Sequence, residues 1–191
     1  MKDLRNKVVL ITGAAGGIGL NTAGFFAEAG SRLVLTDINE LALENAKQRL
    51  AKHGVDILTK VVDVTDLKAV EKLRDDVVQK FGGLDVLINN AGIGYNAEIA
   101  DTPLSKWQQL MNINFWAPLY HIQTFLPLMK EKKSGHIVNV SSGQAYFRAP
   151  TWGAYSVTKL AVGAMSEIMN VEVARDNVKV TTVYPFLVNT G

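Results

Sequence analysis

The segment that most constrains this chain is Lys7-Val8-Val9-Leu10-Ile11-Thr12 with the glycines that follow it, Gly13, Gly17 and Gly19. An apolar run of this length, bounded by glycine, reads as a strand buried on both faces of a parallel sheet and feeding a helix. The glycines are spaced G-x-x-x-G-x-G, not G-x-G-x-x-G. The physical demand is the same: a tight turn, close backbone approach, and a helix N-terminus left pointing at a pyrophosphate. A P-loop does not fit, because no Gly-Lys-Ser/Thr closes the segment. Taken alone the loop is also a plain structural turn, so its neighbours along the chain decide.

Those neighbours repeat a strand–helix rhythm without linkers or low-complexity stretches. Strands are predicted at 7–12, 31–36, 56–62, 84–89, 135–141 and 178–184, and helices at 17–29, 39–53, 66–81, 104–132 and 153–175. Such alternation means parallel pairing, right-handed crossovers and helices on both faces. The expected fold is α/β: a doubly wound Rossmann fold with a mainly parallel sheet, in a single domain over residues 1–191. An apolar fraction of 48% suits a sheet covered on both faces. Chemistry is expected at the carboxyl ends of the strands, near the switch point. Pro118 and Pro127 fall inside the predicted fourth helix. Proline removes a backbone donor, so a kink beginning at Pro118 would free the Asn114 carbonyl, and water held there could link it to Lys159. The alternative is a helix broken at residue 117.

Composition closes several other routes. The net charge is +2 with no basic run, which argues against nucleic acid. The chain has no cysteine, which excludes disulfides, thiolate catalysis and thiolate zinc sites, and no metal is expected. The first strand begins near residue 7, so no signal peptide or membrane anchor is expected, and the protein is read as cytoplasmic. His53, His121 and His136 have no acid and serine at triad spacing and read as solvated or packed. Asp75, Asp76, Glu40 and Glu44 read as solvated helix faces. Trp107, Phe115 and Trp116 read as core or subunit contact.

Two further features raise the glycine loop above a structural turn. The predicted second strand ends at Asp37, eighteen residues after Gly19. That is close to the spacing of about 20 residues at which an acid receives the adenosine ribose hydroxyls. A carboxylate there repels a 2′-phosphate, so NAD is favoured over NADP; otherwise Asp37 is a turn or cap acid ahead of the next helix. Farther on, Tyr155 and Lys159 lie four apart, one turn of a helix, with Ser142 thirteen residues before the tyrosine. A free phenol has a pKa near 10, and bringing it to about 7 takes roughly 4 kcal/mol in favour of the phenolate. A lysine ammonium about 4 Å away supplies that order of energy at an effective dielectric of about 20. The pair reads as a proton-transfer device for neutral pH.

In its order of motifs the chain resembles the short-chain dehydrogenase/reductase family. The motifs are Thr12-Gly13-Ala14-Ala15-Gly16-Gly17-Ile18-Gly19, Asn89-Asn90-Ala91-Gly92, Ser142, and Tyr155-x-x-x-Lys159. The resemblance implies hydride transfer between a nicotinamide and a carbinol or carbonyl carbon. By it, Tyr155 is the general base or acid, and Lys159 lowers its pKa and bonds the nicotinamide ribose. Ser142, not its neighbour Ser141, orients the substrate oxygen, and Asn114 supports the proton relay. The cofactor would be held by Gly13, Gly17, Ile18, Gly19 and Asp37. Asp63 and Val64 would take the adenine, Asn90, Ala91 and Gly92 the adenosine side, and Pro185 and Thr190 the nicotinamide end. A homodimer or homotetramer is implied, through the helices at 104–132 and 153–175.

Two departures bear on substrate. Pro185 is followed by Phe186 where the family usually has glycine, and the sequence ends at Gly191, ahead of the family's substrate-covering segment and seventh strand. Residues 1–191 are therefore expected to be part of a longer protein, with the sixth strand an exposed apolar edge. Tyr146, Phe147, Trp152 and Phe186 suggest an apolar pocket for a steroid, retinoid or other lipophilic alcohol, the alternative being a subunit interface. The expected function is NAD-linked oxidation of an apolar secondary alcohol, or reduction of its ketone. The alternatives are an NADPH-linked carbonyl reductase and a nucleotide-binding regulatory or scaffold protein without turnover.

Overall fold

Val8–Thr12 form strand β1, and every side chain in it is buried, as a sheet covered on both faces requires. The computed structural model describes residues 3–186 and 188. After β1 come helix α1 (Gly17–Glu28), β2 (Arg32–Asp37), α2 (Glu40–Leu50), β3 (Ile57–Val61), α3 (Leu67–Phe81) and β4 (Val86–Asn89). Then follow α4 (Leu104–Met111), α5 (Ala117–Glu131), β5 (Gly135–Val140), α6 (Gln144–Phe147), α7 (Gly153–Glu172) and β6 (Val178–Val183). The six strands run in the order β3-β2-β1-β4-β5-β6, every neighbouring pair parallel.

The helices segregate by face. One core packs Leu10, Val34 and Leu87 against α3, α5 and α7 through Leu73, Phe125 and Met169. The other packs Val9, Ile11, Leu33 and Ile88 against α1 and α2 through Ala23, Ala27 and Leu43. Alternate residues of one strand thus serve opposite cores, which is why β1 carries no polar position before Thr12. The sheet order reverses between β1 and β4, so the crevice beyond their carboxyl ends is the switch point.

Local signals set the element ends. Asp66 caps α3 by accepting from Lys68 N–H and Ala69 N–H, and Gly82, at φ 78°, ends it. The predicted helix over 104–132 runs to Glu131, but it is not uniform. Residues Asn112–Trp116 form a π-helical turn between α4 and α5, in which Ala117 N–H donates to the Asn112 carbonyl. The irregularity therefore lies just before Pro118 and does not begin at it. The predicted helix over 153–175 stops at Glu172, followed by a 3₁₀ turn at Ala174–Asp176. The sequence reading missed α6, whose four residues are too few to carry a helical period.

Candidate active site

The floor of the switch-point crevice is built by Thr12 and Asn90. Thr12 Oγ1 accepts the N–H groups of Asn90 and Ala91 at 3.0 Å each. Asn90 Nδ2 donates back to the carbonyls of Thr12 and Gly13, at 2.9 and 3.0 Å. The end of β1 is thereby tied to the residues following β4. Only glycine fits this knot: Gly13 sits at φ +63°, and a Cβ on it would meet Ala91 Cα at 2.9 Å. A Cβ on Gly19 would land on the Gly13 carbonyl oxygen and 2.7 Å from Asn90 Nδ2. By contrast nothing lies within 4 Å of the Cβ position of Gly16, the residue that precedes α1. No side chain caps the N-terminus of α1, so its first N–H groups point into the crevice without a protein side-chain acceptor.

Asp37 closes the far end. Its Oδ2 accepts the Ala15 N–H and its Oδ1 the Asn39 N–H, both at 3.1 Å. The capping of α2 falls to Asn39, whose Oδ1 accepts from Ala42 N–H, and not to Asp37. Asp37 instead braces the glycine loop while remaining part-exposed along the crevice.

The opposite wall comes from β5 and α7. Lys159 is 4% exposed, and its Nζ donates to the Val140 carbonyl at 2.8 Å. Burial pushes its pKa down to about 8. Its Nζ lies 5.8 Å from the centre of the Tyr155 ring, whose edge packs against Trp152 at 5.6 Å between centroids. The two adjacent serines have different surroundings. Ser141 Oγ donates to the Lys159 carbonyl at 2.7 Å, whereas Ser142 Oγ accepts the Gln144 N–H at 3.2 Å and keeps its own hydrogen for another acceptor. Asn114 is 1% exposed and clamps the loop after β4. Its Oδ1 accepts the Ile93 N–H and its Nδ2 donates to the Ile93 carbonyl, each at 2.9 Å, while Nδ2 also reaches Thr158 Oγ1 at 3.0 Å.

The glycine loop, Asp37, the residues after β4 and the β5–α7 wall share one cleft of about 530 Å³. Of the residues singled out from sequence it unites Gly13, Ile18, Asp37, Asn90, Ala91, Gly92, Ser142, Tyr155, Lys159 and Pro185. Gly17, at φ 52°, and Gly19 shape the loop from behind. Asn114 stands one layer back, with its Oδ1 3.2 Å from where a Cβ on Gly92 would be. Asp63 is not on the cleft wall; it accepts from Thr65 N–H at 2.9 Å and Thr65 Oγ1 at 2.7 Å. Val64 faces a small void beside Thr12 and His121. Thr190 lies outside the described residues. The sequence reading gave no role to Thr12, Ile93 or Val140, which act through backbone groups or accept main-chain donors. His121 is packed, as read: burial takes its pKa down to about 4, and its Nδ1 lies 2.9 Å from the Ala117 carbonyl. Among the described residues no group of three or more metal-ligating side chains occurs, and no helix is long and apolar enough to cross a membrane.

Comparison with known proteins places this cleft in a lineage. The short chain dehydrogenase family profile matches residues 7–191. An uncharacterized oxidoreductase of Staphylococcus aureus (strain N315) is 35% identical over 191 residues, all of this chain and 82% of that protein. An NAD+-bound xylitol dehydrogenase superposes with a TM-score of 0.94 at 35% identity, over 97% of this chain and 72% of that one. L-Sorbose reductase from Gluconobacter frateurii, complexed with NADPH and L-sorbose, gives 0.95 at 33% identity, over 98% and 72%. The chain belongs to the short chain dehydrogenase family of oxidoreductases.

Proposed function

We propose that the protein transfers a hydride between NAD(H) and a secondary alcohol or its ketone. The observation that carries this reading is the convergence of Ser142, Tyr155 and Lys159 on the same cleft as the glycine loop and Asp37. The cradle suits a dinucleotide. Gly13 and Gly17 take positive φ, Gly16 is unobstructed, and the uncapped start of α1 offers N–H donors to a diphosphate. Asp37 offers a carboxylate to ribose hydroxyls at the other end, and Thr12 with Asn90 holds the floor between them. Asp63 and Val64, Ala91, Gly92, Pro185 and Thr190 complete the proposed cofactor set by resemblance.

When bound, the nicotinamide accepts or supplies the hydride. The chain handles the proton and the geometry. In oxidation Tyr155 takes the proton of the carbinol O–H, and in reduction it returns one to the carbonyl oxygen. Ser142 donates its free hydroxyl hydrogen to the substrate oxygen and fixes its direction. With a pKa near 8, Lys159 is mainly cationic at neutral pH, and its ammonium stands 5.8 Å from the centre of the Tyr155 ring. Asn114 supports the proton path by locking the Ile93 backbone against α7.

Exposed Trp116, Val157, Leu160, Ile168 and Val171 on and beside α5 and α7 support a homodimer or homotetramer through those helices. A cytoplasmic, single-domain enzyme is part of the same reading. An NADPH-linked carbonyl reductase is the second reading, favoured by the likeness to L-sorbose reductase and opposed by Asp37. The test is NAD-dependent oxidation of a panel of secondary alcohols, with Tyr155→Phe alongside. Turnover that vanishes in the variant while NADH binding survives supports the reading. NADH binding without turnover anywhere on the panel would favour a nucleotide-binding protein that has lost catalysis.

A further inference from the structure

Next to Ser142 and Tyr155 the cleft presents an aromatic residue, Phe186, that is 62% exposed. Its position is set from three sides. The ring packs on Phe147 with centroids 4.9 Å apart and planes at 52°. Its edge lies over Gly143, where an added Cβ would come within 2.5 Å of Phe186 Cδ2. The Gly143 N–H donates to the Pro185 carbonyl at 2.8 Å. One residue earlier, Tyr184 packs on Tyr146 at 4.8 Å. The short helix α6 and the segment 184–186 are therefore stitched together, and the stitch begins at the residue after Ser142. The distance between the hydroxyl that meets the reacting oxygen and the aromatic wall is thus fixed by one backbone hydrogen bond and a glycine contact.

Several polar atoms near that wall are already engaged. Asn90 is held by Thr12 and Gly13, Ser141 by the Lys159 carbonyl, and Lys159 by the Val140 carbonyl. Asp37 stands at the other end of the cleft, on the glycine loop. Val140 and Val188 add apolar surface beside Phe186. A ligand with one oxygen on Ser142 and Tyr155 meets the apolar side chains of Val140, Pro185, Phe186 and Val188 on that side of the cleft. Hydroxyls turned toward that side would lose water against apolar surface, which costs affinity, whereas a flat apolar ring gains the face of Phe186.

We propose that Phe186 is the specificity-determining residue of this cleft, selecting secondary alcohols and ketones whose reacting carbon adjoins or belongs to a flat apolar ring. Open-chain polyols of the kind named for the xylitol and L-sorbose enzymes are selected against. The inference rests on the dehydrogenase reading for the direction in which substrate lies, and its test separates the two. Acetophenone and L-sorbose are titrated calorimetrically into the Tyr155→Phe chain saturated with NADH, with Phe186 intact and with Phe186→Ala or Phe186→Leu added. Turnover of 1-phenylethanol and of xylitol is followed in parallel with Tyr155 present.

The expected result is acetophenone binding at least tenfold tighter than L-sorbose. It should weaken at least tenfold in Phe186→Ala and less in Phe186→Leu, with NADH affinity within about twofold throughout. NADH affinity reports that each variant is folded, and if the alanine variant fails that check the leucine variant decides. Acetophenone binding that ignores residue 186, or L-sorbose binding tighter than acetophenone, overturns the inference. Phe186-dependent acetophenone binding with no alcohol turned over upholds the inference and removes the dehydrogenase reading. Turnover confined to xylitol does the reverse.

Discussion

Asn114 and the backbone of Ile93 close a hydrogen-bonded ring, Oδ1 on the N–H and Nδ2 on the carbonyl, each at 2.9 Å. The side chain thus does what a neighbouring strand would do for a loop that has no strand beside it. Replacing Asn114 by leucine keeps the volume and leaves both Ile93 groups part-buried and unpaired, with Thr158 losing a donor. The expected loss is about 2 kcal/mol of folding stability, read from urea midpoints, together with weaker NADH binding through the displaced 90–94 strip. A midpoint unchanged by the substitution would mean the loop after β4 is held elsewhere.

Lys159 gives a pH signature. Its folded pKa, about 8, lies below the ordinary 10.5, so the buried chain disfavours the charged form. Below pH 8 both folded and unfolded states carry the proton, and the penalty is constant. Between 8 and 10.5 the unfolded state binds more protons, so stability rises with pH across that window. Relative to Lys159→Met, the parent should gain up to about 3 kcal/mol between pH 8 and 10.5. Parent and variant curves that stay parallel over the window would refute the burial argument.

Gly19 and Gly16 lie three residues apart and should answer oppositely. Alanine at 19 would press on the Gly13 carbonyl and on Asn90, both committed to the crevice floor, and should cost about 1–3 kcal/mol. Alanine at 16 meets open space and should stay within about 0.5 kcal/mol of the parent. Thermal melts of the two variants side by side make the comparison, and equal shifts would contradict it.

At the other end of the sheet, Asp85 is the acid-sensitive anchor. Its side chain is 7% exposed, with Oδ1 2.5 Å from Lys132 Nζ and 3.8 Å from Lys7 Nζ, and Oδ2 accepts the Val8 N–H at 2.9 Å. Burial alone would raise its pKa, but the hydrogen bonds from Lys132 and Val8 and the two ammonium charges outweigh that and hold it below 3.8. A depressed carboxyl stabilises the fold above the unfolded value and loses that contribution as pH falls through the folded one. Asp85→Asn should therefore cost about 2–3 kcal/mol at pH 7, with the gap from the parent narrowing below pH 4. A gap that does not change with pH would remove the ion pairs from the account.

What could be read from the sequence followed from side-chain pattern. β1, β2 and β4 are apolar runs because both faces are covered, and the glycines of residues 13–19 stand out because a Cβ has no room at two of them. Tyr155 and Lys159 were paired by helical spacing, and Asp37 by its place at the end of β2. What stayed hidden depends on main-chain acceptors and distant neighbours. The Val140 carbonyl that holds Lys159 leaves no mark on the sequence, and the knot at Thr12 joins residues 78 apart. The π-helical turn is only half visible: Pro118 announces a missing donor, but not whether the helix kinks, breaks or widens. The Asp63 hydrogen bonds to Thr65 are local, and nothing in the sequence set them apart from a ligand contact.

The cofactor preference turns on Asp37. Its carboxylate is tied to the glycine loop through Ala15 and to the start of α2 through Asn39, so it cannot swing away from an incoming phosphate without breaking both bonds. A 2′-phosphate brought to about 4 Å of that charge meets a repulsion of the order of 4 kcal/mol per unit charge at an effective dielectric of about 20. NADH should therefore bind at least tenfold tighter than NADPH, and Asp37→Ser should narrow the ratio at least tenfold, chiefly by improving NADPH. Serine retains a hydroxyl that can accept the Ala15 N–H, so the loop stays braced and NADH affinity should fall only a few-fold. Fluorescence titration of both cofactors into parent and variant measures the ratio. Equal binding of NADH and NADPH by the parent would place the 2′-phosphate away from Asp37 and assign the preference to another part of the cleft.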